Sequence, residues 1–225
     1  MNRPSPPPDA VSSGNAISAA GQLGVLSPFH REISARAAVR ASDAWIAMVD
    51  QLRQLQDAAA AGAPPPDVAR EVTTLLAAAR TLLAQYEVDD ANQVFGRLMH
   101  VAGRAQTLSP PVVVRHCDAN ELVGTVTFGR FHVGLNNAVH GGAIALVFDE
   151  ALGMLAHAGH TVPARTASLR VDYRGITPVG AELTVRVFRE KAEGRKRQVR
   201  GTLHAADRLC AEASGLFVEL RPGQQ

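Results

Sequence analysis

The sequence predicts an α+β protein: an antiparallel sheet wrapped around one central helix, in the order β-β-α-β-β-β-β, preceded by an α-helical hairpin. Three observations carry that expectation. The run "VHGGAIALVFDEALG" (139–153) is apolar or small nearly all round, so a helix there must be enclosed by other structure. Segments alternating every two residues flank it, separated by short polar turns that suit antiparallel pairing. Before residue 90 the apolar spacing changes to three and four, which is helical.

Taken in order, residues 1–28 are rich in Pro, Ser, Gly and Ala and read as a disordered or loosely ordered tail. Ala41, Trp45, Met48, Leu52 and Leu55 then make one helical stripe, and Val68, Val72, Leu75, Ala79, Leu82 and Tyr86 a second. "AGAPPPD" divides them, because three prolines cannot continue a helix. Residues 29–90 thus form a helical hairpin, which cannot bury both faces alone and should pack on the main domain or on a partner chain. Residues 91–110 read as a linker, and 111–221 as the main domain. There "VVVRHC" and "ELVGTVTF" are the first strands, split by the turn "DAN", and the helix runs from 140 to about 158. Ala167, Leu169, Val171 and Tyr173 alternate with Ser168, Arg170, Asp172 and Arg174 in the next strand. "AELTVRVFREKA", "RKRQVRGTLHAAD" and "LCAEASGLFVEL" supply the last three.

Composition excludes several functions. Aromatic residues are 4% of the chain, too few for stacked nucleic-acid binding, and the net charge of +2 implies no polyanionic partner. Cys117 and Cys210 stand apart from any CxxC or histidine cluster, so neither a disulfide framework nor a metal site is expected. "AIALVF" is far too short to span a membrane, and the N-terminus lacks the continuous apolar core of a signal peptide. A cytoplasmic protein is expected.

"VHGGAIALVFDEALG", "TASLRVDYRGITPVG" and "EKAEGRKRQVRGTLHAADRLCAEASGLFVEL" together resemble the hotdog-fold acyl-CoA thioesterases, in particular the phenylacetate-pathway (PaaI-like) type. The resemblance rests on HGG, an acid nine residues after the histidine, a strand of the form T/S-x-x-apolar-x-apolar-x-Tyr, and EGRK in a hairpin. It covers roughly residues 111–221. It implies hydrolysis of acyl-CoA without metal or cofactor, and a homodimer with a continuous sheet, possibly a dimer of dimers. Each of its two active sites would be built from both chains.

The residues themselves support such chemistry. The first N–H groups of a helix lack internal partners and sit at the positive end of its dipole. Glycine there lets a thioester carbonyl approach, so Gly141, supported by Gly142, suits an oxyanion hole. The glycines could equally relieve crowding between helix and sheet. His140 either orients the carbonyl by a hydrogen bond or caps the loop. Asp149 lies nine residues on, roughly half a turn round the axis from His140 at ~100° per residue. One helix cannot easily aim both groups at one substrate, whereas a second, antiparallel copy can. Asp149 would then act as general base or as nucleophile, or else pair structurally. Glu150, about 100° further round, reads as a solvated or interface residue.

By the resemblance, Thr166 helps to place the acid or the water, although simple alternation puts it on the face opposite the helix; a β-bulge or an entry bend would have to turn it inward. Asn136 and Asn137 read as a turn-forming pair, with a substrate contact at Asn137 the alternative. "EGRKRQVR" (193–200) is a solvated hairpin by pattern. By the resemblance Arg195 and Lys196, with Arg197, are ligands for the CoA phosphates, for which the arginine fork is suited. Rival functions are a non-catalytic acyl-CoA-binding module and an enzyme of the same fold acting on acyl carrier protein.

Overall fold

In the computed structural model, which describes residues 26–221 and 223, a six-stranded antiparallel sheet curves around one long helix. The tail expected over 1–28 lies outside the described residues except for its last three, and these are ordered. Ser27 is buried, and its hydroxyl caps helix α1 (Pro28–Ala38) by accepting from His30 N–H. Helices α2 (Asp43–Ala61) and α3 (Pro66–Ala84) follow, with Ser42 capping α2 and the proline run opening α3. A separate helix thus precedes the expected hairpin.

The main domain comprises β1 (Val113–Cys117), β2 (Glu121–Thr127), α4 (Gly141–His157), β3 (Ala164–Tyr173), β4 (Glu182–Glu193), β5 (Lys196–Ala205) and β6 (Arg208–Glu219). The order across the sheet is β1-β2-β4-β5-β6-β3, every neighbour antiparallel. Crossing by way of α4 therefore carries the chain to the far edge, where β3 pairs with β6 alone. Ile144, Val147, Phe148, Ala151, Leu152 and Leu155 of α4 are packed into the concave face against Leu122, Val185, Val187, Val199, Leu203 and Phe217. Fully burying each large side chain of this kind stabilises the fold by roughly 1.5–3 kcal/mol.

One face of α4 stays uncovered. Gly142 and Asp149 are exposed and Ala145, Leu146 and Gly153 half-exposed, a spacing that aligns them along a single helical stripe. The edge strand β3 is also mostly open to solvent.

The helical segment is docked by α2. Its Asp57 carboxylate accepts from Phe131 N–H at 2.9 Å, and Arg53 holds the Gln106 carbonyl through Nε at 3.1 Å and Nη2 at 2.6 Å. Residues 91–110, expected as a linker, are instead packed. Val94, Leu98 and Ala105 are buried with Ala37 of α1, beside Trp45 and Ile46. The spacing 94, 98, 101, 105 in that stretch is the apolar signal that a linker would lack. By contrast the stripe of α3 finds no cover among the described residues, and Leu75, Leu82 and Tyr86 are exposed.

Candidate active site

His140 is the N-cap of α4, and its Nδ1 accepts from Gly142 N–H at 3.0 Å. Ala143 N–H bonds the His140 carbonyl at 2.9 Å. Of the first three N–H groups of α4, only that of Gly141 makes no hydrogen bond within the described residues. A single unpartnered amide thus faces outward at the positive end of the helix, which is the property an oxyanion site needs. Of the two roles open to His140, its capping bond occupies Nδ1 and withdraws Gly142 N–H from the substrate. Crowding is real as well: a Cβ on Gly141 would stand 3.0 Å from the Tyr173 hydroxyl, which donates to the Gly141 carbonyl at 2.9 Å.

Asp149 projects from the open face of α4, where its Oδ1 accepts from Thr166 Oγ1 at 3.0 Å. Thr166 can reach it because β3 carries a β-bulge. Thr166 pairs with Phe217 and Ser168 with Leu216, which leaves Ala167 as the extra residue and reverses the alternation at this point. Gly142 and Asp149 are seven residues apart and share the open face, about 10 Å from each other along the axis. Gly141 and Asp149 of one chain are therefore too distant to act on one carbonyl.

Glu150 is not solvated. It is 7% exposed and paired with Arg104, whose guanidinium arrives from the packed 91–110 segment. Burial pushes the Glu150 carboxyl above the usual range, and the Arg104 charge partly offsets this. Arg104 sits in a left-handed stretch with Gly103 and Ala105, at φ values of 63°, 55° and 51°. Such backbone persists only where neighbours over-determine it. Here Arg53 clamps one end through Gln106 and Glu150 holds the guanidinium. Sequence reasoning missed Arg104, since nothing local marks a partner 46 residues from Glu150. Glu150 itself had a signal: it lies three residues after buried Val147 and seven before buried His157, on the inward side of the helix.

Beside this pair lies a cavity of about 240 Å³ that reaches from Asp149 and Thr166 along α4 to His157. Asp149, Glu150 and Arg104 also border a second cavity on the side of Leu146.

Asn136 and Asn137 both adopt left-handed backbone, at φ 56° and 57°, in the turn before α4. Asn137 is exposed and its Oδ1 accepts from Arg130 at 3.4 Å. In the β4–β5 hairpin Gly194 takes φ 52°, which glycine supplies at no steric cost. Arg195 and Lys196 are exposed there, with Arg195 Nη1 donating to the Glu219 carbonyl at 2.8 Å. Arg197 is a correction. It is 1% exposed, and its guanidinium bonds the Ala156 carbonyl at 2.8 Å, the Val162 carbonyl at 2.9 Å and the Glu219 carboxylate. Strand alternation turns it into the core, away from any phosphate. Among the described residues no group of His, Cys, Asp and Glu could hold a metal ion, and no helix is long and apolar enough to cross a membrane.

An acid with a hydroxyl beside it and an amide without a partner among the described residues thus lie on one sheet-wrapped helix and its neighbouring strand. The sequence profile described as Thioesterase superfamily matches residues 136–212. The Pseudomonas aeruginosa protein named "Putative esterase PA0474" is 30% identical over 109 residues, which cover 48% of this chain and 81% of that protein. The chain belongs to the thioesterase superfamily. The Rattus norvegicus acyl-coenzyme A thioesterase THEM4 is 37% identical over 97 residues, 42% of this chain. This chain spans only 41% of the rat protein's length. The crystal structure of protein RHA08564, a thioesterase superfamily protein, superposes with a TM-score of 0.67 at 27% identity, covering 77% of this chain and 94% of that one. Coverage of that extent reaches past β1–β6 into the N-terminal helices.

Proposed function

We propose that this protein is an acyl-CoA thioesterase, hydrolysing a CoA thioester to the free acid and CoA. The observation that carries the reading is the Thr166–Asp149 hydrogen bond, made possible by the β3 bulge, on the open face of α4. A carboxylate oriented by a hydroxyl is placed to activate water or to attack a thioester carbon; either route fits the geometry. Gly141 N–H would stabilise the oxygen as it gains charge.

Because Asp149 and Gly141 are far apart on one helix, we assign the two halves of each site to two chains of a homodimer. The open stripe of α4 offers a packing face for an antiparallel second copy, and the exposed edge of β3 offers a strand to extend the sheet. A dimer of dimers is compatible with this arrangement. Arg195 and Lys196 remain proposed ligands of the CoA phosphates; Arg197 leaves that set, and Asn137 stays a candidate substrate contact. A cytoplasmic setting, with acyl-CoA as the partner and no cofactor, completes the proposal.

The test is thiol release from acyl-CoAs ranging from acetyl to palmitoyl, together with phenylacetyl-CoA. Turnover of at least one of them, lost in Asp149→Asn, is expected. Binding without turnover would leave a non-catalytic acyl-CoA-binding module, and turnover confined to acyl-ACP would change the carrier.

A further inference from the structure

The cavity beside Asp149 is walled in part by the strands, through Val114, Leu122, Thr166 and Phe217, and otherwise from two sources. One side is α4 itself, where Glu150, Gly153, Met154 and His157 align over about 10 Å of helix. The other side comes from outside the stretch that matches the superfamily profile: Phe29 and His30 of α1, and Met99, Val101 and Arg104. At the end remote from Asp149 the His30 ring stands edge-on to that of His157, with centroids 4.4 Å apart. Both histidines are held. Ser27 Oγ lies 2.8 Å from His30 Nδ1, and His157 lies between the Gly153 carbonyl at 2.7 Å and the Ala164 backbone at 3.1 Å. Ser34 ties α1 to the rest of that wall, its hydroxyl accepting from Met99 N–H at 3.2 Å.

We propose that α1 is the acyl-length ruler of this enzyme: Phe29 and His30 close the deep end of the cavity and limit the acyl group it accepts. The inference rests on the thioesterase reading for the identity of the ligand. The cavity of about 240 Å³ ends at α1, so it accepts an acyl group only up to a definite length. A longer chain must displace α1 or break the His30–His157 contact.

Two substitutions move the ruler in opposite directions. Phe29→Ala opens the deep end. Gly153→Ala narrows the cavity by one methyl group: a Cβ there meets only Phe217 Cε1 at 3.7 Å, and alanine favours the helix more than glycine does. With the full chain, kcat/KM is measured over acetyl- to palmitoyl-CoA and phenylacetyl-CoA. Binding of the thioethers S-butyl-, S-octyl- and S-hexadecyl-CoA is followed in parallel by calorimetry. Expected are a palmitoyl-to-octanoyl ratio raised at least tenfold by Phe29→Ala, and an optimum moved to shorter chains by Gly153→Ala. Unmoved profiles in both variants would overturn the ruler while leaving the thioesterase reading in place. Shifted thioether binding without turnover in any protein would overturn the thioesterase reading and sustain the ruler.

Discussion

Arg104→Met is the most demanding perturbation of this site, because it removes the sole charge paired with a carboxylate that is 7% exposed. Breaking a buried pair by deleting one partner costs about 3–5 kcal/mol. The Arg104 side chain is itself 35% exposed, so water already screens part of the attraction. A loss of roughly 2–3 kcal/mol at pH 7.5 follows, worth about 4–12 °C in Tm for a chain of this size. Glu150→Leu added to Arg104→Met removes the stranded charge and should recover most of that loss, because replacing both partners by apolar groups is often neutral. Acidification supplies a second check. Burial already holds the Glu150 carboxyl above its unfolded value, and loss of Arg104 raises it further. Stability carried by the protonated form is present at low pH and is lost as pH rises through the folded pKa. The defect of Arg104→Met should therefore shrink between pH 7.5 and pH 5. Urea unfolding of the wild type and of both variants at the two pH values measures all of this. A single variant as stable as the wild type at pH 7.5, or a double variant worse than the single, would refute the reasoning.

Four further outcomes are expected. Asp149→Asn should lower kcat about 10²–10⁴-fold with an unchanged circular-dichroism spectrum, and Thr166→Val should lower kcat more than it alters KM; equal kcat in either variant would remove that residue from the mechanism. Burial and the positive charges of His157, Arg104 and Arg165 lower the His30 pKa from 6.5 to about 4. The unfolded chain thus binds the extra proton first, and stability present above pH 6.5 is lost as pH falls toward 4. Urea unfolding at several pH values should give His30→Gln a flatter slope in that window, by up to about 1.4 kcal/mol per pH unit. Arg197→Gln leaves the Glu219 carboxylate and two carbonyls without their donor, so thermal unfolding should register a loss of about 2–4 kcal/mol, with thioether binding to the folded fraction retained.

What could be read in advance depended on range. The strands and the central helix were legible because two-residue and 3.6-residue periodicities are local, and their bounds agree with β1–β6 and α4 within a residue or two. Asp149 stood out because a carboxylate in an apolar helix is costly without a use. Thr166 illustrates the opposite case. Alternation alone pointed it away from the helix, and one extra residue in the β3–β6 register turned it toward Asp149. Arg197 was given to the phosphates by the resemblance, although strand alternation already implied that not all of the basic run could face one ligand, and its buried place in β5 removes it.

The sequence by itself determined the order of elements, the apolar helix to be enclosed, the acid nine residues after the histidine and the resemblance they carry. These depend on interactions within a few residues. Only the tertiary structure decided that His140 spends Nδ1 on the helix cap and that Glu150 is buried on Arg104. It also decided that α1 and the 91–110 segment enclose the cavity beside Asp149. The last two join residues 46 to more than 100 positions apart, and their formation is set by which surfaces packing buries together. Local spacing marks which side of an element is buried, but not the distant surface that covers it.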